Sequence, residues 1–159
     1  MKKINFSFIL GFILYVIGFY LAFISITGNI RQIIDLPSFM FIVIPLLGIL
    51  IVTKSFKVFG RGFKAVLLLD AHITDEICEQ TASFFRFLSR ATVIIIIVGF
   101  LISVMSVLFR YDFSADYAII YFNRNMAVIL ILPVYGLILI GGLFEPIVFN
   151  LKKRCRTNH

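Results

Sequence analysis

The chain has 159 residues, 61% of them hydrophobic and only 14% charged, and its fifteen Lys and Arg outnumber eight Asp and Glu for a net charge of +7. That composition lies far outside an ordinary soluble globular domain. The basic surplus reports membrane orientation and contact with anionic lipid rather than nucleic acid, because the basic residues do not alternate with aromatics on a polar face.

A hydrocarbon core is crossed by about 20 apolar residues in a helix. Four such runs fit the chain with short connections. The expectation is one integral membrane domain over 1–159, an all-α membrane protein of four transmembrane helices with a short cytoplasmic helical extension between the second and third. The first run, about 6–27, follows Lys2 and Lys3. It exceeds the ~7–15 apolar residues of a signal peptide and lacks a clear small-x-small cleavage site, so it reads as a retained helix.

The second run covers about 37–53. In Asp35-Leu36-Pro37-Ser38 the proline suits a first helical turn, where no backbone donor is needed, so this segment reads as a helix start. The connection 54–90 follows. Lys54, Lys57, Arg61 and Lys64 recur at helical spacing, with Phe56, Phe59, Phe63 and Val66 opposite, which predicts a basic amphipathic extension of the second span. It faces anionic lipid at the interface or forms a protein-docking face. Past Asp70, Thr74 offers a cap, and Asp75 and Glu76 place negative charge in a first turn. A helix starting there runs through Phe84, Phe85 and Leu88 straight into the third span, so that the second and third helices project together below the membrane.

The third and fourth runs, about 91–109 and 125–149, are joined by a segment carrying Tyr111, Tyr117 and Tyr121, which suits an interfacial aromatic belt. Gly99, Ser103 and Ser106 form one small face of the third span. It serves close helix packing or a water- or ion-lining surface. Pro133 frees the carbonyl of Ile129 and should kink or loosen the fourth helix. Glu145, about two turns before Lys152, reads as paired or snorkelling to the headgroups rather than as a buried proton site.

Orientation follows from the basic residues. Lys2, Lys3, Lys54, Lys57, Arg61, Lys64, Arg86, Arg90, Lys152, Lys153, Arg154 and Arg156 fall on one side, against Arg31, Arg110 and Arg124 on the other. Such a bias makes the termini and the central connection cytoplasmic. No enzyme is expected. His72 and His159, and Cys78 and Cys155, lack metal-site spacing, and Gly60-Arg61-Gly62 lacks the rest of a phosphate loop. No cofactor or metal is expected. Both cysteines fall on the cytoplasmic side, which argues against a structural disulfide.

Ile34-Asp35-Leu36-Pro37-Ser38 before a span, followed by the basic helix through Lys57 and Lys64, resembles the first half of the MotA-like flagellar stator family. Met126-Ala127-Val128, Tyr135-Gly136-Leu137, Phe144, Pro146-Ile147 and Leu151-Lys152 look like its fourth helix, and Gly99, Leu101 and Ile102 like its third. The resemblance implies a homo-oligomer, a pentamer around a single-span MotB-like or ExbD-like partner, in a bacterial inner membrane. The related ExbB and TolQ proteins use the same scheme. It further implies that the third and fourth helices line an ion pathway, making Gly99, Phe100, Ser103, Ser106, Leu132, Pro133, Tyr135 and Gly136 pore-lining candidates. Lys54, Lys57, Arg61, Lys64, Asp75, Glu76 and Glu79 are the candidates for cytoplasmic electrostatic contact. Where the family often carries threonines, this chain has Phe100, Leu132 and Pro133. Two functions are therefore carried forward: an ion-driven motor or energy-coupling subunit, and a non-conducting scaffold of the same fold that holds a partner helix.

Overall fold

The computed structural model describes residues 5–27, 35–68, 74–110 and 118–157. Lys2, Lys3, Arg31, Ile34, Asp70, His72, Tyr111, Tyr117 and His159 lie outside them, as do the side chains of Arg110, Tyr121, Arg124 and Arg156. Within the described residues the chain is all-helical. The helices are α1 (Phe6–Thr27), α2 (Leu36–Val52), α3 (Phe56–Leu67), α4 (Asp75–Arg110), α5 (Ala118–Leu139) and α6 (Glu145–Thr157), with a π-helical turn (Ile140–Phe144) fusing α5 to α6. Three stretches, Phe6–Ser25, Asp75–Phe109 and Asn125–Cys155, are long and apolar enough to cross a membrane, and the bent pair α2–α3 could supply a fourth. These lengths and compositions point to a multi-pass membrane protein.

The frame is an antiparallel pair. α4 runs unbroken for 36 residues, about 54 Å at ~1.5 Å per residue. The α5–π–α6 helix returns along it. Gly99 meets Leu132 and Gly136 meets Ile96, Phe85 meets Phe144, and Cys78 meets Cys155. Each step down one helix is matched by a step along the other. The long helix starting at Thr74 is as the sequence predicts. Its buried Thr81, Ser89 and Thr92 donate their hydroxyls to the carbonyls of Ile77, Phe85 and Leu88 at 2.7, 3.2 and 2.8 Å, so these polar groups are satisfied within the helix itself.

α2 also begins as the sequence predicts. Asp35 adopts an extended cap conformation and accepts a hydrogen bond from Ser38 N at 3.0 Å, with Pro37 in the first turn. Its buried residues, Ile42, Leu46 and Leu50, recur every fourth position and face the frame. The expected straight extension beyond α2 is not formed. Ser55 N donates to Leu50 O and Lys54 N to Ile51 O, both at 3.1 Å, with Lys54 at φ 51°. This is a Schellman stop, and Lys54 occupies the left-handed position usually held by glycine. The two helices meet at 110°. α3 therefore lies across the foot of α4 rather than extending α2 downward.

α3 buries Gly62, Ala65 and Val66 and packs Phe59 and Phe63 on Phe85. Phe56, expected on the same face, is 51% exposed, because the preceding turn sets it at the helix edge. The tightest core sits here: Phe85, Leu88, Ile147, Leu151 and Val66 are fully buried. α1 is peripheral. Asn5 N donates to Leu67 O at 2.9 Å, and the Tyr15 ring lies against Gly142, while most of its apolar length is exposed.

Pro133 does not interrupt the helix, which continues in α geometry to Leu139. The irregularity falls instead at Ile140–Phe144, where Glu145 N reaches Ile140 O. Two local features account for it. Gly142 lets the Tyr15 ring sit where a Cβ would collide, and the wider turn accommodates Pro146, which cannot donate to Gly142 and would crowd its carbonyl in an unbroken α-helix.

Candidate functional site

The residues singled out along the third and fourth spans divide into two sets. Gly99, Leu132 and Gly136 are buried inside the chain. A Cβ on Gly99 would come within 2.6 Å of Leu132 Cδ2 and 2.7 Å of the Phe41 ring, and one on Gly136 would strike Ile96. Small residues here bring α4 and α5 together, as expected of small positions between membrane helices. Phe100, Ser103, Pro133 and Tyr135 are half-buried and Ser106 is exposed. Tyr135 Oη accepts a hydrogen bond from Asp35 N at 3.1 Å. That bond joins the start of α2 to α5 beside an apolar groove of about 410 Å³ lined by Asp35, Leu36, Phe39, Ile42, Val43, Tyr135, Ile138 and Leu139.

The outward face of α4 is a second apolar surface. Ile94, Ile97, Val98, Leu101, Met105 and Leu108 are exposed, at the three- and four-residue spacing of one helix stripe. Ser106 lies on the exposed surface at the far end. This geometry can associate with apolar helices or lipid, and its hydroxyls are weakly polar at most.

At the opposite end Lys57, Arg61 and Lys64 are exposed along α3, and Lys54 is exposed in the preceding turn. Lys54 therefore does not share the α3 face, contrary to the four-residue row expected from spacing. The apolar face of α3 is consumed by Phe85 and its neighbours, and the basic side is left exposed. Glu76 and Glu79 are exposed and Asp75 half-buried at the foot of α4. Glu145 is exposed at the start of α6.

Two features at this end were not foreseen. Cys78 and Cys155, between which the sequence argued against a structural disulfide, are joined by one across 77 residues, their Cα atoms 6.2 Å apart. The antiparallel return of α6 along α4 brings them together, which linear spacing cannot express. Arg154 Nη1 donates to Leu68 O at 3.0 Å, tying the last turns of α6 to the end of α3, while its Nη2 is buried with no hydrogen-bond partner among the described residues. The only advance signal was the pair of cysteines itself. Among the described residues no group of three or more His, Cys, Asp or Glu is placed to hold a metal ion.

The fold and surfaces thus define an all-helical chain with three to four helices able to cross a membrane. Comparison with protein-family models, with curated proteins and with solved structures finds no match.

Proposed function

We propose that the chain is a ring-forming, MotA-like subunit of an ion-driven membrane complex, surrounding a single-span partner in a bacterial inner membrane. The observation that carries the reading is the α4 stripe of Ile94, Ile97, Leu101, Met105 and Leu108, left exposed on the longest helix of the chain. A subunit that packs side by side with its own copies needs such a face. The two-helix frame continuing beyond the apolar region supports it, as does the basic foot formed by Lys57, Arg61 and Lys64. Lys54, Lys57, Arg61 and Lys64 are exposed at that end, and with the basic bias of the sequence this orients the foot toward the cytoplasm. The charged ion carrier belongs to the partner: where Gly99 and Gly136 bring α4 and α5 together, the neighbouring side chains are Leu132 and Ile96, with no carboxylate beside them. Mass measurement of the detergent-solubilised complex is expected to give five copies; a stable monomer or dimer would refute the ring.

A second reading is favoured by one observation. Leu132 and Gly99 are spent on internal packing with Phe41, and Phe100 and Pro133 supply no hydroxyl. A non-conducting scaffold holding a partner helix would have this character. Ion flux through liposomes containing the chain with its co-purifying partner separates the two. Flux above that of a variant lacking the partner's intramembrane carboxylate supports the motor, and equal flux supports the scaffold.

A further inference from the structure

We propose that Cys78 and Cys155 form a reversible redox latch at the foot of the bundle, a dithiol that a low-molecular-weight disulfide closes and a thiol reopens. The inference rests on the cytoplasmic orientation given above, and combines it with a pairing that the orientation alone argued against. These are the chain's only two cysteines, and the fold holds their Cα atoms 6.2 Å apart, inside the range a disulfide spans without backbone movement. A bond so placed in a reducing compartment is transient rather than a permanent staple.

The surroundings suit both states. Cys78 is 2% exposed, whereas Cys155 is only partly buried and is the more accessible of the two to a small reagent. Cys78 Sγ lies 3.1 Å from Leu151 O, a carbonyl to which its S–H donates once the bond is open. α6 does not depend on the bond for its position. Ile147 and Leu151 are fully buried, and Arg154 holds Leu68 O, so opening the latch unties α6 from the first turn of α4 without dismantling the core.

The chemistry is thiol–disulfide exchange. The Cys155 thiolate attacks one sulfur of the small disulfide, expelling its other half as a thiolate and leaving a mixed disulfide. The Cys78 thiolate then attacks Cys155 Sγ, expels the second half and closes the protein bond. The two protein thiols lose two protons and two electrons overall, and the small disulfide becomes two thiols. Closure ties the first turn of α4 to the last turn of α6, and through Arg154 to the end of α3.

The test is alkylation of the full-length chain with a polyethylene-glycol maleimide after acid quenching of intact cells. Growing cells are expected to give the two-adduct band; a membrane-permeant aromatic disulfide removes both adducts, and dithiothreitol restores them. An adduct number that stays fixed through oxidant and reductant overturns the latch. The orientation is read separately with a membrane-impermeant maleimide on reduced vesicles. Labelling of Cys155 in inside-out vesicles supports the reading, and labelling confined to right-side-out vesicles overturns the orientation and the latch with it. A fixed adduct number together with inside-out labelling removes the latch alone.

Discussion

The two ends of the bundle are held together differently. At the basic end, α3, the foot of α4 and α6 enclose Phe85, Leu88, Ile147, Leu151 and Val66 completely, and rings from Phe59, Phe63 and Phe144 surround Phe85. At the other end the same α4 exposes Ile94, Ile97, Leu101 and Met105. In water the hydrophobic effect drives apolar groups inward. In a bilayer that force is absent, because lipid tails are as apolar as leucine, and helices associate through shape and small residues instead. Gly99 and Gly136 at the α4–α5 contact are that second kind of adhesive. One helix, α4, thus carries both a fully packed end and an exposed apolar stripe.

The comparison can be broken at several points. Phe85→Ala should have the largest effect, because it empties the centre of the aromatic cluster: a loss of about 3–5 kcal/mol is expected, read by thermal unfolding in detergent. Unchanged stability would mean that this end has no packed core. Gly142→Ala should cost about 1–3 kcal/mol, since its Cβ meets the Tyr15 ring. Trimming the ring with Tyr15→Ala in the same chain should recover part of the loss, and a double-mutant cycle measures that recovery. Lys54→Gly runs the other way. Relief of the left-handed strain at φ 51°, less the entropy glycine adds to the unfolded chain, should stabilise by about 0.5–1 kcal/mol. The smallest change is expected from Ile97→Ala, within about 0.5 kcal/mol for the solubilised single subunit. In the ring proposed above, the same substitution should loosen the oligomer, seen as a shift to lower mass. If it destabilised the isolated subunit as strongly as Phe85→Ala, the distinction between the ends would fail.

Much of the architecture was legible because it depends on local pattern. Asp35 and Pro37 announce a helix start, and the acids after Thr74 announce another whose apolar content continues to Phe109. The inward Phe59, Phe63 and Val66 of α3 follow from helical periodicity. What escaped depends on where distant segments meet. Gly62 reads as an unremarkable glycine until the Phe85 ring occupies the space its Cβ would need. The cysteines, 77 positions apart, have no relation until α6 returns along α4. The stop after α2 was hidden because a lysine occupies a position where glycine is the usual signal. The candidate pathway residues were only half interpretable: spacing places Gly99 and Leu132 on interacting helix faces, but cannot say whether those faces look inward at each other or outward to a neighbour.

The π turn has a consequence for how the chain keeps phase. An α-helix advances about 100° per residue, so the surplus residue accommodated within Ile140–Phe144 resets which side of the helix every later residue occupies. Above it, Ile129, Leu132 and Gly136 turn toward the interior; below it, Phe144, Ile147, Leu151 and Cys155 do so. Forcing this turn into regular α geometry with the sequence unchanged would rotate the remainder by roughly a quarter turn, carrying Ile147 and Leu151 off the core and Cys155 away from Cys78, whereas removing one residue from it would let the helix close as α with the remainder in phase. The five-residue irregularity therefore acts as a spacer in angle rather than in length, and it permits one continuous helix to serve two differently built ends of the molecule.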